Sequence, residues 1–170
     1  MKWIGALLLL CATTWVGFEF ARKLNDRPKQ IRQLKNALQI LEAEILYSHS
    51  PVIEACESLA KQLPEPICWL FGSIGEDLNK EPAVLYDVWE KNVENFWPLT
   101  AFGRDEKEIL KQFGRTLGQH DFSQQQKHIQ LALTHLQREL EEAQEYQHRY
   151  SKMAKSLGFL TGLLVVLLLI

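Results

Sequence analysis

The sequence lacks the common short motifs that mark a nucleotide-binding loop, an activated nucleophile or a metal site in an enzyme. It contains no phosphate-binding loop of the GxxxxGK(S/T) type, no GxSxG turn, no CxxC pair and no HExxH pair. His128 and His135 are seven residues apart, which is about 10 Å along a helix and too far for one ion without a third element. These absences predict a protein that is not an enzyme and has no catalytic residue, cofactor or metal site.

Cysteine is also scarce. The three cysteines, Cys11, Cys56 and Cys68, are odd in number and show no regular spacing, so they do not indicate a disulfide framework. A free cysteine behaves as a small apolar side chain. We therefore interpret all three as packing residues.

Glycine and proline are few, with 9 and 6 residues, and no segment alternates apolar and polar residues as a strand would. Apolar residues instead recur every three or four positions, which predicts an all-α helical bundle of about six helices. Ser50 and Ser123 suit the N-cap position of two of these helices, with Pro51 as the first helical residue after Ser50. Gly114 and Gly118 are expected to loosen the end of the helix that begins near Asp105, with a turn at 118–121.

An aromatic group lies in the second half of the domain. Trp89, Phe96, Trp97 and Phe102 are close in sequence and are expected to form part of the core, with an interaction patch as the alternative.

Both ends of the chain are apolar. We predict an N-terminal transmembrane helix at 1–21, a helical domain at 22–152 and a C-terminal transmembrane helix at 153–170. A cleaved signal peptide is the alternative for the first segment, but no small-x-small cleavage site follows it. Nothing breaks the last helix before Met153, so it can continue as one rod into the second apolar segment.

Charge is distributed unevenly along the chain. Residues 22–35 carry six bases and one acid, whereas residues 36–151 carry 19 acids and 10 bases, a net charge of −9. Positive charge beside both apolar segments predicts a domain on the cytoplasmic side, with both termini outside. The acidic domain argues against nucleic acid, and the basic stretch suits anionic membrane lipid.

A run of acids marks the last helix, at Glu139, Glu141, Glu142 and Glu145. The plainer interpretation is a solvated face that pairs with Arg138 and Arg149. The alternative is a docking surface for a basic partner, and these four glutamates are our candidate partner-binding residues.

The order of segments carries a family resemblance. The stretch LQILEAEILYSHSPVIEACESLAKQLPEPICWLFGSIGEDL, followed by a glycine turn and a final helix that continues into LGFLTGLLVVLLLI, resembles the cytoplasmic domain of type II secretion and type IV pilus inner-membrane platform proteins. With one such domain between two apolar ends, the whole chain resembles the stage III sporulation protein AB family. Platform proteins usually carry two such domains, so a complete platform would need at least two copies of this chain.

The resemblance implies a function in sporulation. It implies a non-enzymatic platform in the mother-cell membrane, part of a secretion-like channel toward the forespore. The implied partners are a hexameric secretion-type ATPase in the cytoplasm, membrane and ring-forming channel subunits, and further copies of the chain. If the acidic run binds the ATPase, charge reversal there should weaken ATPase association without unfolding the domain. The alternative function is a membrane-anchored adaptor or signalling protein with no secretion role.

Overall fold

A computed structural model describes the backbone of residues 2–46, 48, 50–80, 84–118 and 122–169. Side chains are described for residues 22, 24–45, 48, 50–80, 84–118, 124–150 and 153. Within this part of the chain the structure is all-α, as predicted, and contains no strand. Its elements are α1 (Lys2–Leu46), α2 (Val52–Gln62), α3 (Ile67–Lys80), α4 (Leu85–Phe96), a 3-10 turn (Trp97–Leu99), α5 (Arg104–Thr116) and α6 (Phe122–Leu169).

The two long helices, α1 and α6, lie side by side and run in opposite directions. Three side-chain hydrogen bonds fix their register: Gln147 to Asn25, Lys35 to Gln137, and Gln130 to Glu42. The two residue numbers in each pair add up to 172. Residue n of α1 therefore lies at the same height along the bundle as residue 172 − n of α6. We call the end of the bundle near Asn25 and Gln147 the terminal end, and the opposite end the loop end.

The shorter helices run back and forth between these two ends. Glu94, Glu90 and Tyr86 of α4 bind Lys107, Lys111 and Arg115 of α5, so these two helices are antiparallel. The backbone N–H of Ala101 donates to Gln30 Oε1 at 2.7 Å, which places the link between α4 and α5 near the terminal end.

Apolar residues at helical spacing form one continuous core, because a stripe of this kind must be covered by a neighbouring helix. The predicted face of α1 is confirmed: Ile31, Leu34, Leu38 and Leu41 are fully buried and Ile45 nearly so. The aromatic group is core as well. Trp89, Phe96 and Phe102 are buried, and Trp97 is partly buried and stacks on Phe102.

Two helix starts differ from the prediction. Pro51 occupies the N-cap position before α2, and Ser50 instead binds Glu44 through both its backbone N–H and its hydroxyl. Ser123 is a helical residue of α6, not its N-cap, because the helix begins at Phe122.

Helix α1 passes through Pro28, although an internal proline lacks the N–H that the helix needs. Burial of Pro28 and its neighbour Ile31 against the bundle outweighs that local preference.

Gly114 lies in the last turn of α5, near the predicted end of that helix. Helix α5 continues past it to Thr116, and the indole of Trp89 lies over Gly114 so closely that a Cβ there would be 2.2 Å from Trp89 Cδ1. Leu117 caps the helix, and Gly118 follows with a φ of +76°, which suits the left-handed turn after a helix and agrees with the turn predicted there.

The predicted membrane helices at 1–21 and 153–170 fall almost wholly on side chains outside the described part of the structure. Over the residues that are described, no helix is both long enough and apolar enough to cross a bilayer. The two spans and the domain boundaries at residues 22 and 152 remain predictions.

Candidate partner-binding surface

The four acidic candidates on α6 do not share one environment. Glu141, Glu142 and Glu145 are exposed, and Glu141 accepts a hydrogen bond from Gln137 at 2.7 Å. Glu139 turns inward, where its side chain is only 16% exposed and binds Arg27. The exposed part of the predicted surface therefore consists of three glutamates, and their role in binding a partner remains a prediction.

Glu139 belongs to a partly buried ion triad that joins three helices. Arg27 of α1 donates through Nε to Glu106 Oε1 of α5 at 2.8 Å and through Nη2 to Glu139 Oε2 of α6 at 3.2 Å. Glu106 is fully buried. The triad lies near the terminal end of the bundle and is expected to fix how α5 sits against the two long helices, because three separate helices must meet at one guanidinium.

One cation shared by two carboxylates leaves the triad with an excess of negative charge. Burial lowers the pKa of Arg27. The hydrogen bond and attraction from Glu106, together with attraction from Glu139, outweigh burial, so the pKa of Arg27 is raised. Burial, with repulsion from Glu106, Asp105 and Glu142, raises the pKa of Glu139, and Arg27 offsets this only in part. Both directions agree if Arg27 pairs mainly with Glu106, which it contacts at the shorter distance.

Glu139→Gln is therefore expected to retain or gain stability at pH 7, by up to about 1 kcal/mol. A carboxyl whose pKa is higher in the folded state costs stability as the pH rises through that pKa, and glutamine carries no such cost. The advantage of the variant should be absent below the ordinary glutamate range and grow as the pH approaches neutral. Thermal unfolding of both proteins from pH 4 to pH 7 measures this difference. A loss of stability in the variant that grows toward pH 7 would contradict it.

The exposed face of α1 is basic. Lys29 and Arg32 are exposed, and no carboxylate among the described side chains lies within ion-pair distance of either. A groove of about 460 Å³ runs along this face, lined by Lys29, Arg32, Gln33, Lys35, Asn36, Gln39 and Pro64. Gln33 Oε1 is buried and has no hydrogen-bond partner among the described residues. This face therefore offers unpaired positive charge to a partner.

The described cysteines, Cys56 and Cys68, are buried or partly buried in the helical bundle. Burial raises the pKa of the Cys56 thiol to about 12, which suits a packing residue. Cys68 is partly buried beside the core, and Cys11 lies outside the described side chains. No group of three or more His, Cys, Asp or Glu residues among those described is placed to hold a metal ion.

Comparison with known proteins identifies the family. The family model for stage III sporulation protein AB matches residues 2–170. The chain belongs to the stage III sporulation protein AB family. The protein of that name from Bacillus subtilis (strain 168) is 48% identical over 169 residues, which are 99% of either chain. A solved structure of stage III sporulation protein AB (SpoIIIAB) is similar with a TM-score of 0.69 and 45% identity, covering 73% of this chain and 98% of that one.

The resemblance to the stage III sporulation protein AB family is thus confirmed, and neither relative is named for an enzymatic activity. Sequence reasoning did not anticipate the ion triad in this member of the family. Arg27 looked like one of several bases facing lipid, and Glu106 stands between Asp105 and Lys107 in a segment that reads as exposed. The only available signal in the sequence was helical spacing. Glu106 is the third residue of α5 and lies on the same helix face as the buried Leu110 and Phe113.

Proposed function

We propose that this sporulation protein is a non-enzymatic membrane platform that couples a cytoplasmic ATPase to the membrane subunits of a secretion-like channel between mother cell and forespore. The observation that carries the proposal is the register of α1 and α6. Each is one continuous helix, and their antiparallel pairing directs both terminal segments away from the same end of the bundle. A domain attached to a membrane by both of its ends requires this arrangement.

Helix length and terminal-end side chains support membrane attachment. At 1.5 Å per residue, α1 extends about 30 Å from Arg22 back to Lys2, and α6 extends about 33 Å from Gln147 to Leu169. A bilayer has a hydrocarbon core of about 30 Å. At the terminal end, Tyr146 and Tyr150 are exposed and stack on one another, as tyrosines do where a membrane meets water.

Charge supports the cytoplasmic side. The bases at residues 22–35 adjoin the first apolar segment, and Arg149, Lys152 and Lys155 adjoin the second. Positive residues flanking a membrane segment are retained in the cytoplasm. The loop end of the bundle would then face the cytoplasm, where a hexameric ATPase could reach it. Because secretion platforms usually carry two such domains, we propose that at least two copies of this chain form one platform.

Thiol labelling of intact cells tests the orientation. In a full-length chain with its three native cysteines replaced by alanine, single cysteines are introduced as Glu76→Cys, His148→Cys or Lys2→Cys. Glu76 and His148 are exposed, on α3 and near the terminal end of α6 respectively. The proposal expects a membrane-impermeant reagent to label Lys2→Cys in intact cells and the other two only after lysis. Labelling of Glu76→Cys in intact cells would overturn it.

Capture of the ATPase tests the coupling. Tagged full-length protein, solubilised from sporulating cells, is expected to co-purify with a hexameric secretion-type ATPase and with channel subunits. A cytoplasmic domain that captures neither would instead favour a membrane-anchored adaptor.

A further inference from the structure

We propose that two copies of this chain pair through the outer face of α1 and α6, around a twofold axis parallel to these helices. The basic residues of each copy would meet the acidic residues of the other. The parallel orientation of the copies rests on the proposed membrane attachment, whereas the two charged stripes and their register are features of the described bundle.

The face consists of two exposed stripes on neighbouring helices. On α1, exposed residues recur at helical spacing and include Lys29, Arg32, Asn36 and Gln39. On α6, the corresponding exposed residues include Thr134, Arg138, Glu141 and Glu145. The hydrogen bond of Lys35 to Gln137, and that of Gln137 to Glu141, close the seam between the stripes.

The charges of the two stripes lie at the same level. By the register of the long helices, Glu141 is level with residue 31 and Glu145 with residue 27. Lys29 and Arg32 occupy that same stretch of α1. One face of the bundle therefore carries a pair of cations beside a pair of anions. Arg138 is level with residue 34, midway between Arg32 and the uncharged Asn36, whereas Glu141 is only one residue from the level of Arg32.

A twofold axis in front of the seam makes this face complementary to itself. It places α1 of one copy opposite α6 of the other, with both copies upright and their terminal ends together. Lys29 and Arg32 then face the partner copy's acidic stripe, and the same contact repeats on the other side of the axis. An interface of this kind closes as a dimer.

The groove beside Lys29 and Arg32 provides room for the incoming side chains. Its volume of about 460 Å³ accommodates glutamate side chains from the opposite copy. From residue 25 to residue 43 the face is about 27 Å long. With two helices about 10 Å apart, each copy buries roughly 500 Å². The two copies together bury about 1,000 Å², which is the lower limit for a specific interface.

Charge reversal with rescue tests the pairing in the full-length protein. Lys29→Glu/Arg32→Glu and Glu141→Lys/Glu145→Lys each place like charges opposite one another. Each is expected to lower the dimer fraction about tenfold. The chain that carries all four substitutions has inverted stripes that are again complementary, so it should dimerise as the original protein does. Misfolding would not be corrected in this way, and circular dichroism verifies helicity in each variant.

Disulfide crosslinking in membranes reports the dimer directly. Two cysteine-free chains are co-expressed, one carrying Asn36→Cys and the other Thr134→Cys, because these residues are nearly level and lie on opposing stripes. A mixed disulfide dimer is expected with the original charges and with all four reversed, but not with either pair reversed alone. Asp87→Lys/Glu108→Lys, two exposed acids on α4 and α5, is the matched control and should leave crosslinking unchanged.

ATPase capture separates this inference from the proposed function. If reversing Glu141 and Glu145 abolishes ATPase capture but leaves the crosslink intact, the acidic stripe binds the ATPase and the dimer inference is wrong. If neither reversal reduces the crosslink, or if the crosslink does not form with the original charges, the inference is likewise wrong and the platform role stands. If the crosslink follows the charge pattern while thiol labelling places the domain outside, the dimer stands and the platform role falls.

Discussion

Arg27→Met is expected to lower the free energy of unfolding by about 3–5 kcal/mol, the largest effect of any single substitution we predict. The substitution removes the only positive charge from the centre of the ion triad. Glu106, which is fully buried, would lose its only ion-pair partner among the described residues, and its Oε2 atom already has no hydrogen-bond partner there. Methionine preserves much of the length of the arginine side chain, so the loss of charge accounts for most of the effect.

The pH dependence of this loss distinguishes charge from packing. The pKa of Glu139 is already raised by burial and by neighbouring carboxylates, and Arg27 is the group that opposes that rise. Without Arg27 the carboxyl of Glu139 is expected to be destabilising as an anion and tolerated when protonated. The defect should therefore be greatest near pH 7 and shrink toward pH 4. Thermal unfolding of the full chain in detergent across this range measures it.

The triple variant Arg27→Met/Glu106→Gln/Glu139→Gln is the matched control, since it retains the shapes of the two acids but none of the three charges. It is expected to recover most of the lost stability, as replacement of a whole buried ionic group often does. If it is as unstable as Arg27→Met alone, the defect comes from lost packing of the arginine stem, and the electrostatic account is wrong.

The extent to which the sequence predicts the fold depends on how local each feature is. Helical spacing around Leu34, Leu38 and Leu41 identifies the buried face of α1, because burial of such a stripe repeats along one segment. Continuity of α6 is also predictable from the absence of any helix breaker before Met153. The family could be identified from the order of such segments along the chain.

Features that depend on contacts between distant segments could not be predicted. Helix α1 passes through Pro28, which is buried in the bundle, and a proline at that position reads locally as a helix break. Glu139 reads as one of four similar acids, and only the meeting of α1, α5 and α6 distinguishes it from Glu141 and Glu145. The equal level of the basic and acidic stripes is likewise a property of the helix pair, since it follows from a register that neither segment carries alone.

Gly114 is the clearest case of a residue whose role depends on a distant contact. Read locally, a glycine near the end of α5 weakens the helix, so alanine would be expected to stabilise it by up to about 1 kcal/mol. The structure predicts the opposite. An added Cβ would lie 2.2 Å from Trp89 Cδ1 and 2.6 Å from both Cγ and Nε1, and Trp89 is fully buried.

Gly114→Ala is expected to lower the free energy of unfolding by about 2–3 kcal/mol, because Trp89 cannot move aside without cost. Its indole N–H donates to the carbonyl of Leu110 at 2.8 Å, and Phe71 and Phe113 pack against it in T-shaped arrangements. A drop of roughly 10 °C in the unfolding midpoint of the full chain corresponds to this loss.

Gly72→Ala provides the matched control for the same substitution. Gly72 is also inside a helix, but its Cβ would meet only Ala60 Cβ at an ordinary 3.6 Å. Helix propensity then decides the outcome, and alanine should be neutral or stabilise by up to about 1 kcal/mol. Opposite signs at the two positions would establish that the space occupied by Trp89, and not the flexibility of glycine, determines the residue at 114. Equal and small effects at both would mean that the indole of Trp89 can repack at little cost.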